Sequence, residues 1–166
     1  MSNSFMVDMM LARKLEAYWA NQLGLMHNVV HEDDHGVDIY GMLNDDELEI
    51  DELVKIDVKG YRKPLFIKSF DGIFVETHSG ACRNPGWYCK KNETTHFIFC
   101  IDCDAAGFRK AYFISKQDFY EACFEAEHNC DIVEKEIKTA AGFVLPYSYL
   151  EEYGYELRGD IYGEDW

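Results

Sequence analysis

The sequence predicts an α/β fold of a single domain, with a central mixed β-sheet flanked by helices. Segments 36–43, 53–59, 72–78, 96–102 and 110–115 carry apolar residues at alternate positions or in short apolar runs, the habit of strands. Two longer segments, 5–23 and 116–128, repeat apolar residues at three and four positions, the habit of helices. At 166 residues the chain is large enough for one genuine core. With 48% hydrophobic residues, disorder is expected only at the ends.

Ser4 reads as the N-cap of the first helix and Gly24 as its stop, with Val7, Leu11, Leu15 and Tyr18 on one stripe. Glu16, taken by itself, reads as a solvated helical acid. His27, His31 and His35 would share a face on a helix, but Glu32-Asp33-Asp34 and Gly36 mark a loop, so joint metal ligation is not expected. Segments 36–43 and 53–59 then form a hairpin whose link, Asn44 to Glu52, is acidic enough to point into solvent. In the second strand Asp57 and Lys59 share a face, roughly 6.5–7 Å apart along the strand, while Val58 points into a core.

Gly60 to Lys68 follows, with Arg62 and Lys63 early in it and Pro64 limiting ladder bonds. Strand 72–78 puts Glu76 and His78 on one side. Glu76 is either a cross-strand pairing residue or a third carboxylate, should this strand neighbour the Asp57 strand. Residues 79–86 have turn chemistry. Trp87 and Tyr88 sit among Arg83, Lys90 and Lys91, a mixture that suits backbone tracking and base stacking; equally, Trp87 reads as an anchor on the sheet. Ser115-Lys116-Gln117-Asp118 opens the second helix, with Phe119, Ala122, Cys123 and Ala126 as its buried stripe. One helix is expected on each face of the sheet.

The core is expected over about 5–128, with 129–166 as a C-terminal extension. That extension is aromatic and acidic together, fit to pack a second copy of the chain or to cover its own sheet edge. The six cysteines read as buried free thiols, because Cys100 and Cys103 have zinc-type spacing but Cys100 sits in an apolar strand. No run of 18 apolar residues exists, and Asp8 interrupts the N-terminal apolar stretch ahead of Arg13 and Lys14, so a cytoplasmic protein is expected.

Asp38 on one strand, with Asp57 and Lys59 on its neighbour, is an economical divalent-metal site. Two carboxylates hold Mg²⁺ or Mn²⁺ and leave it several waters, and a lysine orients an attacking water and screens charge on phosphorus. This pattern of Val37-Asp38 followed by Asp57-Val58-Lys59 resembles the PD-(D/E)XK nuclease superfamily. The likeness extends through Gly72-Ile73-Phe74-Val75-Glu76, Asn84-Pro85-Gly86-Trp87-Tyr88 and Phe97-Ile98-Phe99-Cys100-Ile101, an order similar to compact phage and bacterial members. Val37 stands where that family has its name-giving proline. Asn92-Glu93-Thr94-Thr95-His96 replaces a Lys-Ala-Asp-aromatic run. The resemblance implies a restriction-endonuclease-like αβββαβ core, Asp38, Asp57 and the Val58 carbonyl as metal ligands, and catalytic work by Lys59. It also implies Glu16 beside the metal, while Glu76 is a candidate catalytic acid only by its strand geometry.

The net charge of −15 opposes nucleic-acid binding, whose affinity rests on neutralised phosphates. Yet Arg62, Lys63, Arg83, Lys90 and Lys91 make a local basic stripe between two acidic regions. The expected function is Mg²⁺- or Mn²⁺-dependent hydrolysis of DNA, with RNA not distinguished, by a chain able to form a homodimer. The alternative is an inactive protein of the same fold whose acidic surface imitates nucleic acid and occupies a basic partner.

Overall fold

The computed structural model describes residues 7–28, 36–62, 71–80, 84–137, 140–157 and 161–162. Helix α1 (Met9–Leu23) begins later than the apolar pattern suggests. Asp8, extended at ψ 168°, accepts the Leu11 N–H and caps the helix, while Gly24 closes it at φ 65°. The proposed cap Ser4 lies outside the described residues. The buried face of α1 is Leu15, Glu16, Trp19 and Ala20.

Strands β1 (Met26–His27), β2 (Ile39–Asp45) and β3 (Ile50–Arg62) follow. Then come β4 (Gly72–Ser79), β5 (Asn84–Pro85), β6 (His96–Cys103), β7 (Gly107–Phe108) and β8 (Lys110–Ser115). Helix α2 (Lys116–His128) leads to β9 (Val133–Ile137), β10 (Ala140–Pro146), α3 (Tyr147–Tyr153), β11 (Tyr155–Leu157) and β12 (Ile161–Tyr162). The central sheet runs β1-β2-β3-β6-β8-β11. It is mixed because β3 and β6 are parallel while its other neighbours are antiparallel. No helix of the described residues is long and apolar enough to cross a membrane.

The two helices expected on opposite faces are there. On one face Leu15, Trp19 and Ala20 of α1 pack on Ile39, Leu43, Val54, Ile56, Val58, Ile98 and Cys100. On the other, Phe119, Ala122, Cys123 and Ala126 of α2 pack with Phe97, Phe99, Ile101, Tyr112 and Ile114. Ser115 caps α2 through the Asp118 N–H, as its sequence indicates. Burying side chains of the size of Phe97, Phe99 and Phe119 contributes roughly 1.5–3 kcal/mol each.

A second sheet departs from the single one expected. Its order is β5-β4-β10-β9, and its residues Ile73, Phe74, Val75, Phe143 and Leu145 join the α2-side core. Strand β4 therefore does not neighbour β3 in one sheet. Alternation in β4 and β10 marks two strands, but nothing local says that Phe74 must meet Val144, some seventy residues on. Of the described residues beyond 128, Leu145 and Leu150 are fully buried in the core, and β11 covers the β8 edge of the central sheet, one of the two roles expected of this extension.

Strand β3 changes neighbours at one residue. Ile56 pairs with Ile39 of β2 on one edge and with His96 of β6 on the other. Before Ile56 the strand runs beside β2; after it, Asp57 to Gly60 run beside β6, and β2 has not yet begun.

Candidate metal centre

The gap left beside β3, where β2 has yet to start, is the candidate site. Asp38 stands at its mouth, pinned through its backbone. Its N–H donates to the Ile56 carbonyl (2.9 Å), and its carbonyl accepts the Asn28 N–H (2.8 Å). Thr94 Oγ1 donates to the Gly36 carbonyl (3.0 Å), which fixes the turn entering Asp38. So held, the Asp38 carboxylate takes the place of a strand: Oδ2 accepts the Val58 N–H at 2.8 Å. A strand residue points its N–H and C=O to the same edge, so the Val58 carbonyl faces this gap too. Beyond it, the Val7 N–H donates to the Gly60 carbonyl at 3.2 Å, closing the far end.

Asp57 and Lys59 project from β3 on the face opposite Val58, as alternation requires. Asp57 is 3% exposed, and its Oδ2 lies 3.0 Å from Lys59 Nζ. Glu16 is not the solvated acid that its place on α1 suggests: it is 5% exposed, with His27 Nε2 3.0 Å from its Oε2. Glu16, Asp38, Asp57, Val58, Lys59 and Gly60 line one cleft of about 220 Å³. The helix reaches this cleft because residue 60 has no side chain. A Cβ there would lie 2.5 Å from Leu15 Cδ1 and 2.7 Å from Val7 Cγ2.

Burial, then the charges of Asp57 and Glu16, push the Asp38 carboxyl up to about 9, although Lys59 and the Val58 N–H pull the other way. Burial alone works against the Lys59 ammonium, but Asp57, Asp38 and Glu76 outweigh it and hold its pKa above the ordinary lysine value. Several carboxylates crowded round one ammonium carry excess negative charge in a partly dry cleft, a setting that favours a cation. Among the described residues no three Asp, Glu, His or Cys side chains stand as a ready metal cage. The donor set fits Mg²⁺ or Mn²⁺ all the same: two carboxylates, a backbone carbonyl and space for water suit an ion that keeps part of its hydration.

Glu76 faces Lys59 from the second sheet rather than from an adjacent strand. Burial raises its carboxyl pKa, against the pull of Lys59, Lys90 and the Trp87 N–H. The turn carrying Trp87 lies directly on β4: Gly86 N–H donates to the Thr77 carbonyl (2.8 Å) and Tyr88 N–H to that of Glu76 (3.2 Å). Only glycine fits at 86, since a Cβ would stand 2.4 Å from the Glu76 carbonyl oxygen.

Trp87 packs on Phe97, Phe99 and Phe119, so the anchoring role describes its contacts. Lys59 Nζ sits 5.4 Å from its ring centroid. Of the basic stripe, Arg62 pairs with Asp8 at 3.1 Å, Lys90 and Lys91 are exposed, and Lys63 and Arg83 lie outside the described residues. His31 and His35 lie outside them as well. Cys100, Cys103 and Cys123 are buried free thiols, whereas Cys89 and Cys130 are free but exposed.

Two contacts near the cleft escaped the sequence reading. His27 partners Glu16, and no pattern joins positions eleven apart across a helix end and a turn. Tyr61 continues the row of Asp57 and Lys59, so alternation could have found it. Its hydroxyl donates to the Phe74 carbonyl at 3.0 Å and ties β3 to β4. No family model matches the chain, and no curated protein matches it.

Proposed function

We propose that the chain is a Mg²⁺- or Mn²⁺-dependent nuclease that hydrolyses phosphodiester bonds of DNA. The observation that carries this reading is the meeting of Asp38, Asp57, Lys59 and Glu16 in one cleft, from α1, β3 and the turn that leads into β2. In this reading Asp38, Asp57 and the Val58 carbonyl hold the ion, which supplies Lewis-acid stabilisation and a more acidic water. Lys59 orients the attacking water and counters charge as it builds on the phosphate oxygens. Glu16, fixed by His27, holds a water or a second cation at the helix side, and Glu76 keeps Lys59 charged. Lys90, Lys91 and Arg62 touch the backbone of the substrate strand.

The order of elements supports a restriction-endonuclease-like core: a leading helix, a hairpin bearing both acids, and a strand parallel to the one carrying Lys59. The connection from β3 to β6 departs from the αβββαβ pattern, since its described residues hold β4, β5 and a turn, and no helix. A homodimer setting two clefts on two strands belongs to the same proposal, and light scattering checks it. The purified chain should cleave single-stranded, duplex or branched DNA only with Mg²⁺ or Mn²⁺ present. Absence of cleavage with every substrate and both metals, with RNA included, removes the enzyme reading.

A second reading, an inactive acidic protein that occupies a basic partner, is favoured by the charge of −15 and by the pairing of cations beside the cleft. Lys55 is held by Glu93 at 2.9 Å and Arg62 by Asp8. It predicts no measurable Mn²⁺ affinity and a stoichiometric basic partner.

A further inference from the structure

The row of β3 that carries Asp57 and Lys59 continues backwards to Lys55, Leu53 and Asp51. There it leaves the core. On the same face, register sets Met42 opposite Leu53, Tyr40 opposite Lys55 and Met26 opposite Tyr40. These apolar residues are open to solvent: Met26 is 61% exposed, Met42 62%, Leu53 57% and Tyr40 41%. The reverse face of the same strands holds Ile39, Leu43, Val54 and Ile56, all buried against the α1-side core. The hairpin is thus apolar on both faces, and only one is covered.

The rim of the open face is acidic. Asp51 flanks Leu53, the turn brings exposed Asp46, Glu47 and Glu49, and Glu93 neutralises Lys55. Beyond the two-residue β1, the β2 edge over Gly41–Asp45 has no strand beside it among the described residues. Apolar side chains, acids around them and an open strand edge together describe one kind of occupant. A nucleic acid would be repelled by the rim. A second copy of the chain would bring another fifteen negative charges.

We propose that this face docks an extended basic segment of a partner protein. Its apolar side chains continue the strip of Met26, Tyr40, Met42 and Leu53, and its cations answer the acidic turn. The docking rests on no assumption about catalysis. If the nuclease reading also holds, the bound segment lies next to the cleft and brings the positive charge that the chain itself lacks for phosphates.

The test uses the full chain and a short peptide of alternating lysine and leucine as probe, with a lysine-only peptide of equal length beside it. The mixed peptide should bind more tightly, weaken with salt, and shift the methyl resonances of Met26, Met42 and Leu53 on titration. Met42→Ser/Leu53→Ser, at exposed positions and with the fold checked by circular dichroism, should weaken it about tenfold or more. Asp46→Lys/Glu47→Lys should weaken both peptides. Equal binding to wild type and Met42→Ser/Leu53→Ser, or shifts confined to another surface, overturns the proposal. Binding of phosphatidylcholine vesicles through the same methyl groups, or a dimer abolished by the same double substitution, assigns the face to lipid or to a second copy and overturns it too. Every readout is binding, so loss of the nuclease reading leaves this result standing.

Discussion

The two halves of β3 are built from the same alternation and do opposite work. From Ile50 to Lys55 the strand has β2 on one edge, an apolar face toward α1 and another toward solvent. From Asp57 to Arg62 it has β6 instead, and charged groups occupy the face that the second sheet and Trp87 cover. Polarity is thus inverted relative to exposure: Leu53 and Met42 are outside, while Asp57 and Lys59 are inside. Burying ionised groups costs several kcal/mol even when they are paired, and neutral apolar residues of similar size would pack there without that cost. A strand that exposes its hydrophobes and buries its charges is not arranged for stability alone.

The sharpest way to break this comparison lies in the buried half. Lys59→Ala should lower metal-dependent cleavage about 10²–10³-fold in single-turnover assays, the range for removing one charge-stabilising donor. Mn²⁺ affinity, followed by electron paramagnetic resonance, should persist. Cleavage by Lys59→Ala at the wild-type rate would remove the lysine from the chemistry.

Next in size comes a pH effect. Asp38 titrates near 3.8 when unfolded and near 9 when folded, so between these values the native state keeps a proton that the unfolded chain has released. Stability therefore falls as pH rises through that window and the loss is complete above about 9. Without divalent metal, the melting temperature should drop between about pH 6 and 9 by an amount equivalent to at most roughly 4 kcal/mol, about 1.4 kcal/mol for each pH unit over which the native state keeps one more proton. Asp38→Asn, which still accepts the Val58 N–H, should flatten that slope in calorimetric scans and abolish Mn²⁺ binding. A wild-type profile that rises over the same range would contradict the raised carboxyl.

Tyr61→Phe should cost about 0.5–1.5 kcal/mol in denaturant melts, because the hydrogen bond from its hydroxyl to the Phe74 carbonyl is lost. The exposed half supplies the control and the smallest effect. Leu53→Ser should change stability by no more than about 0.5 kcal/mol despite removing a large side chain from the same strand. A loss near that of Tyr61→Phe would mean that the outer face is already covered within the chain.

What the sequence made legible is local. Alternation around Asp57-Val58-Lys59 put both charges on one side and Val58 on the other, and Ser115 with Asp118 fixed the start of α2. The Asp38–Val58 bond, the burial of Glu16 and the second sheet were not legible, because each depends on a partner distant in sequence. Glu16 illustrates the difficulty. An acid flanked by Leu15 and Ala17 on a helix looks solvated, and only the missing side chain at Gly60 brings α1 close enough to bury it. The exposed strip was not legible either, since hydrophobicity alone does not tell Met42 and Leu53 from core residues.

The parallel pairing of β3 with β6 also carries a message about the order of folding. The β2–β3 hairpin closes across a short turn and can assemble within microseconds, setting Asp38 against Val58 at once. Lys55 meets Thr95 only by closing a loop of forty residues, and the Trp87 ring takes its place over Lys59 with that closure. Contacts of such sequence separation form late and slow a domain down. The carboxylate end of the cleft is therefore expected to exist before its lysine is covered. Stopped-flow refolding should show Trp87 burial as the slow phase, with hairpin amides already protected from exchange.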